Sequence, residues 1–600
     1  MRGTKYTYTG LDMSALNRLL ALLAVLPLAA CVAVAQPAPP AAPDAGPAGA
    51  DAEAPAPAPE APASGAEAPA LPTQELTEQV LYELLLAEVA LQRGNPALAA
   101  QTYADLAQTT RDPRIAQRAV EVANFARTPQ YALDAARVWH ETDPGSVEAL
   151  QSLTGLLIGM HKVEEAEPFL AELLARDGKA AAGGFLQLGR VLAGNPDKQA
   201  NLRVVRSLAA RNPVLPQAHL AVAQAALAAG DEAAALEEAR TAAQLQPGWE
   251  LAAIYEAQIL QRKDPAQAER SLAGFLEKYP QAREARLAYA RMLATDRRYP
   301  QARAQFEKLL AAYPDNGEVI YSVGLLALQM KDYATAESSF KRLLQKGYRD
   351  PDSVRYMLGQ SAEEQKHWDE AKRWYGSVKQ GDEALGARLR IAGVMAKQGK
   401  LDEARAYLSD LHATGEQRVQ VLIAEAQMLR DANHHRDAYD LLGKALDAQP
   451  EQPELLYDHA ITAEKLERYD VLEKNLRTLI RVKPDYAHAY NALGYSFADR
   501  NTRLPEARKL IQRALELSPE DAYIIDSMGW VLYRMGDLKG AEQWLRRAYN
   551  GRQDAEIGAH LGEVLWKKGD RGEAERIWDE SLKASPDNET LQKTVKRLRR

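Results

Sequence analysis

Small apolar residues return along this chain with a fixed step. Ala99, Ala132, Ala166, Ala200, Ala235, Ala268, Ala302, Ala336, Ala371, Ala404, Ala438, Leu472, Ala507, Ala541 and Ala574 follow one another at intervals of 33, 34 or 35 residues. Four residues after many of them stands a large apolar side chain, as in Tyr103, Leu170, Phe306, Phe340, Tyr375, Leu408, Leu442, Ile511, Leu545 and Trp578. A spacing of four places both residues on one face of a helix. Prolines close the same stretches (Pro144, Pro213, Pro247, Pro280, Pro314, Pro450, Pro484, Pro519, Pro586), where a missing N–H is tolerated. Gly94, Gly230, Gly399, Gly536 and Gly569 fall where a turn needs a left-handed residue. The pattern predicts two helices per period, packed closely enough that only alanine fits between them.

Three C-terminal segments show the period most clearly: NALGYSFADRNTRLPEARKLIQRALELSPE, DSMGWVLYRMGDLKGAEQWLRRAYN and AHLGEVLWKKGDRGEAERIWDESLKASPD. Each carries an apolar-glycine pair (Leu493-Gly494, Met528-Gly529, Leu561-Gly562) 12 or 13 residues before its alanine. They resemble the tetratricopeptide repeat. The resemblance implies an all-α fold, a right-handed superhelical solenoid of about fifteen helix-turn-helix repeats over residues 73–587. Leu472 departs from the alanine series, so its unit is expected to pack loosely or be distorted. The units at Ala166 and Ala200 are degenerate. Residues 588–600 should form a capping helix, with Lys593, Lys596, Arg597, Arg599 and Arg600 on a solvated face. Such a unit exposes its apolar face when alone, so stability has to come from stacking on neighbours.

The N-terminal 72 residues differ in texture. Leu19 to Leu28 (LLALLAVLPL) is an apolar run behind Arg18, too short to span a bilayer and suited to the core of a signal peptide covering residues 1–30. It ends in Leu28-Ala29-Ala30-Cys31, which resembles the lipobox of bacterial lipoproteins. That resemblance implies lipidation of Cys31, the only cysteine, and Val32 behind it favours the outer membrane. Ala33-Val34-Ala35 offers a competing A-x-A cleavage site that would release a soluble periplasmic chain. Either Met1 or Met13 could start translation. Residues 31–72 then form the mature N-terminus and a linker. Positions 36–72 hold 15 alanines, 11 prolines, five acidic residues and no basic ones. Such a stretch cannot bury enough apolar surface to fold, and at ~3.1 Å per residue it reaches up to about 100 Å.

Composition narrows the function classes. Lys+Arg total 74 against Asp+Glu 82, a net charge of -8, which argues against a nucleic-acid partner. One cysteine excludes a disulfide framework and a cysteine-rich metal site. Phosphate-loop, dinucleotide, nucleophile-elbow and zincin motifs are absent, and of the histidines only His434 and His435 are close, on adjacent positions that point apart. No cofactor, metal or enzymatic activity is expected. Binding surface is left.

In tetratricopeptide solenoids the first helix of each repeat lines a concave groove. Carrying that register onto the C-terminal repeats selects Asn491, Tyr495, Asp526, Trp530, Tyr533, Glu563 and Trp566 as candidate partner-binding residues. The competing reading is that the aromatic members only fill space between consecutive helices. Signal, lipobox, linker and repeat body together resemble large proteobacterial outer-membrane tetratricopeptide lipoproteins. The stretches at 81–126 and 526–550 carry the likeness most specifically. That family includes a lipoprotein partner of a periplasmic carboxyl-terminal processing protease. The implied role is an adaptor that tethers the protease and presents substrates such as peptidoglycan hydrolases. An assembly factor for a secretin, pilus or exopolysaccharide exporter remains open on the same features.

Overall fold

The computed structural model describes residues 76–176, 181–381 and 383–599; Cys31, the leader and the linker lie outside them. The described chain is all-α: 31 helices, arranged as fifteen consecutive pairs and a last single helix, Glu589–Leu598. It divides into two compact units, one ending at Val319 and one running from Ile320 to the C-terminus.

The alanine ladder is the axis of every pair. Each of its members lies in a second helix or at its start and is wholly buried, except Ala200, which keeps 7% of its surface. Opposite it the first helix often carries glycine. A methyl group on Gly494 would sit 2.9 Å from the Ala507 carbonyl oxygen, and one on Gly529 would sit 3.2 Å from that of Ala541. The two backbones touch there, which is why neither position has room for a larger residue. The residue four places on then plugs the gap beside the crossing: Phe306, Phe340, Ile511, Leu545 and Trp578 are fully enclosed. Burying one such side chain contributes about 1.5–3 kcal/mol.

Leu472 corrects the expectation of a loose unit. Its helix, Tyr469–Val482, is a regular one, and Leu472 is as buried as the alanines, packed with Leu456, Leu476 and Leu479. Fourteen residues of strong amphipathic pattern supply the packing that the small residue supplies elsewhere. Irregularity sits in other places. Val163–Arg176 contains Pro168 within the helix, and the second helices Trp368–Gly376 and Leu401–Ser409 have nine residues where most have thirteen or fourteen.

Most turns between paired helices contain one left-handed residue. Gly94 and Gly536 supply it at φ +75° and +90°. The equivalent place is held by Arg127, His161, Arg297, Lys331, Lys366, Asn433, Glu467 and Asn501 at φ between 56° and 62°, a conformation that costs a side-chain-bearing residue on the order of 1 kcal/mol.

Adjacent pairs are tied by polar links about one period apart. Exposed pairs such as Arg137–Glu165 and Arg477–Glu506 contribute little each. The enclosed ones matter more. Glu363 accepts from Lys397 of the next pair and from Tyr375 of its own pair, at 2.8 Å each, and Arg430 donates to Asp458 and Thr462 of the next pair. A carboxylate or guanidinium left there without its partner would carry a large desolvation penalty.

Candidate protein-binding surface

The richest set of enclosed polar links lies on the first helices of the C-terminal pairs: Ala487–Asp499, Ala522–Arg534 and Ala555–Lys568. All seven residues selected from the register lie on these helices, and the structure places them unequally. Asn491, Tyr495, Asp526, Trp530 and Glu563 are buried, while Tyr533 and Trp566 are half-buried.

Four of the seven form one connected group. Asp526 lies 2.9 and 3.0 Å from His560 Nδ1 through its two carboxylate oxygens. Trp530 stacks on the His560 ring with centroids 4.2 Å apart and planes 22° apart. Tyr533 packs on Trp530 with the rings tilted by 36°, and donates its hydroxyl to Glu563 at 3.0 Å. Arg597 of the last helix donates to the other Glu563 oxygen, so the basic C-terminal helix is partly spent on an internal ion pair rather than wholly solvated. Tyr495 reaches the group through a 6.3 Å ring contact with His560. Trp566 stands apart, against Trp578 and beneath the Arg571 guanidinium. Asn491 also stands apart from these contacts.

The electrostatics follow from burial. Enclosure alone would hold His560 neutral, but the charge and hydrogen bond of Asp526, reinforced by Glu556 and Glu563, push its pKa up to about 9. Burial pushes the Glu556 carboxyl up to about 7, opposed by His560 and helped by Asp554 and Asp526. Burial and the Glu563 carboxylate push the Tyr533 hydroxyl up to about 12. A histidine held protonated at neutral pH is a poor general base. The nearest hydroxyl in sequence, Ser527, donates to the Tyr523 carbonyl. This Asp–His pair is an ion pair between neighbouring repeats.

Three buried polar atoms on these helices have no hydrogen-bond partner: Asn491 Oδ1, Ser496 Oγ and Trp530 Nε1. Among the described residues no group of three His, Cys, Asp or Glu could hold a metal ion, and no helix is long and apolar enough to cross a membrane. Sequence reading missed His560 and Glu556. The signal for His560 was present: it follows Asp526 by 34 residues, one period, which sets the two on neighbouring first helices.

Paired helices of this length, a buried alanine at every crossing but that of Leu472, and polar links between neighbouring pairs define a tetratricopeptide repeat array. Family models described as tetratricopeptide repeat match residues 260–317, 321–376 and 457–522, and a second one matches 522–556. The chain is 34% identical over 528 residues to the TPR repeat-containing protein PA4667 of Pseudomonas aeruginosa, covering 87% of this chain and 88% of that one. It belongs to the tetratricopeptide repeat family. Among solved structures it is similar to a thermophilic TPR protein of Thermus thermophilus, TTC0263, at 24% identity (30% of this chain, 99% of that one, TM-score 0.28). It is also similar to yeast Tom70, at 15% identity (70% of this chain, 95% of that one, TM-score 0.36).

Proposed function

We propose that this chain is a periplasm-facing scaffold, lipid-anchored to the outer membrane through Cys31, that binds a carboxyl-terminal processing protease and presents peptidoglycan hydrolases to it. The observation that carries the binding role is the membership in a repeat family over 528 residues, with helix pairs filling the described chain. Each pair adds surface, and the enclosed side chains are taken up by stacking. The anchor and the protease rest on the Leu28-Ala29-Ala30-Cys31 motif and on the sequence resemblance described above. Holding protease and substrate on one body raises their effective concentration without new chemistry. The half-buried edges of Tyr533 and Trp566 are the proposed contact surface.

The test is reconstitution. The purified chain and the protease should co-elute on gel filtration, and substrate cleavage should accelerate. Cys31→Ser should move the chain from the outer-membrane fraction to the soluble periplasm without abolishing the complex in solution. Failure to bind the protease, together with co-purification of a secretin or polysaccharide exporter, would replace this reading with that of an assembly factor.

A further inference from the structure

The first helices of the last two pairs end in more positive charge than their surroundings use. Arg534 and Lys567 hold the same register position, one residue after Tyr533 and Trp566, on Ala522–Arg534 and Ala555–Lys568. Arg571 opens the helix that follows, Arg571–Ala584. The carboxylates of these turns already have their cations or caps. Glu542 is matched by Arg546 and Lys568, Glu573 by Arg546 and Arg576, Asp570 by Lys568, and buried Glu563 by Arg597. Asp537 caps its own helix through the Gly540 N–H. Arg534, Lys567 and Arg571 are left without an ion-pair partner among the described residues.

A cation at the C-terminal end of a helix ordinarily offsets the dipole of that end. That account serves Arg534 and Lys567. It fails for Arg571, which stands at a helix start, where a cation is disfavoured. The Arg571 guanidinium lies instead over the Trp566 ring, 5.0 Å from its centroid, and that of Arg534 lies 5.8 Å from the Trp530 centroid. A guanidinium resting on a ring keeps most of its N–H donors for another acceptor. The aromatic edges between these cations adjoin. Tyr533 reaches Glu563, which precedes Trp566 by one turn on the same helix face. Arg534 stands beside the first edge, Lys567 and Arg571 beside the second.

We propose that this edge captures an extended acidic segment of a partner protein, whose carboxylates meet Arg534, Lys567 and Arg571 while an apolar side chain between them lies against Tyr533 and Trp566. The inference names the class of ligand for the contact surface proposed above and rests on that reading. Charge selects the occupant: three cations without counter-charges repel a basic segment and give a neutral one only the aromatic contact. Spacing narrows it further. Neighbouring helices pack about 8–10 Å apart, and an extended chain advances ~3.3 Å per residue. Carboxylates three residues apart therefore reach Arg534 and Lys567 together. Side-chain carboxylates suffice, so the segment need not be a chain end.

Fluorescence anisotropy of the purified full chain tests it, with a short labelled peptide that is amidated at its C-terminus and carries glutamate at every third position among leucine and alanine. The peptide should bind, and more weakly as salt is raised. Its glutamine counterpart should bind about tenfold more weakly, because each exposed ion pair contributes roughly two- to fivefold. Lys567→Glu should weaken the glutamate peptide about fivefold and Arg571→Gln about threefold, with circular dichroism unchanged because both residues are exposed. Equal binding of the glutamate and glutamine peptides, or indifference to both substitutions, would overturn the proposal. So would binding to phosphatidylglycerol vesicles by a chain that ignores the peptide. A chain that ignores the peptide yet forms the protease complex on gel filtration overturns this inference alone and leaves the adaptor reading standing. Peptide capture that depends on Lys567 and Arg571, without the protease complex, supports the acidic ligand and removes the adaptor reading.

Discussion

Gly562 is the sharpest test of why the repeats carry glycine where they do. It lies on Ala555–Lys568 facing Trp578, which is fully buried. A methyl group added there would fall 2.1 Å from Trp578 Nε1 and 2.6 Å from Cδ1 and Cε2. The indole is a rigid plane with Trp566 at a centroid distance of 5.5 Å, so it cannot swing away as a lysine end would. Two effects oppose each other in Gly562→Ala. Replacing glycine inside a helix gains about 0.5–1 kcal/mol. Overpacking an enclosed core costs about 1–3 kcal/mol. With contacts this short the cost sits at the upper end, so a net loss of about 1–2 kcal/mol is expected, confined to the last two helix pairs and the final helix. Gly155, on Val147–Gly159, has nothing within 4 Å of its added methyl, and Gly155→Ala should stabilise its own helix by the propensity gain alone. The double variant Gly562→Ala, Trp578→Phe should recover part of the loss, because the smaller ring opens the space the methyl needs. Hydrogen exchange read peptide by peptide suits an array that opens locally. Gly562→Ala that leaves residues 555–599 as protected as before, or that lowers protection evenly along the chain, would refute the crossing-contact explanation.

The C-terminal repeats should lose stability as pH rises. The folded pKa of His560, about 9, exceeds its ordinary 6.5, so its contribution is fully present below pH 6.5 and is lost as pH climbs through 9. The effect is on the order of 1–3 kcal/mol in exchange protection at 522–568 and should vanish in His560→Gln. Trp530→Ala removes a buried ring from that pair and should cost roughly 3 kcal/mol or more, whereas the half-exposed Trp566 should tolerate alanine better and report on partner affinity. Lys331→Gly relaxes a left-handed residue at φ 59° and should raise the melting temperature slightly, by about 0.5–1 kcal/mol of stability.

Much of the architecture was legible because the period is set by helix length, and helix length leaves a mark at the crossing. Ala268 or Ala541 can be read without any neighbour, since a tight crossing excludes larger residues whatever surrounds it. Leu472 misled because the same crossing can be spaced by a longer side chain when its own helix packs Leu476 and Leu479 beneath it. The nine-residue helices were invisible, because Ala371 and Ala404 keep their step while the final turn after each is given up to loop. In the candidate surface, register placed Asp526 and Trp530 on the correct helices. It could not tell that His560, one period on, takes the carboxylate of the first and the ring face of the second.

That double use of one helix layer bears on how a partner is held. Stacking between neighbours consumes the centres of these first helices: Asp526 with His560, Glu563 with Tyr533 and Arg597. Recognition is left to what stacking does not consume, the half-buried edges of Tyr533 and Trp566. A segment bound along those edges would add contacts without displacing the stacking between neighbours. Its binding would also bridge repeats that open independently when it is absent. Ligation should therefore stabilise the C-terminal pairs by about 2.7 kcal/mol at a hundredfold excess over Kd, and leave helices before residue 319 unchanged. A protection map of the complex separates the two uses of the layer: slowed exchange at 487–568 marks capture at this surface, and slowed exchange elsewhere places the partner on another part of the array.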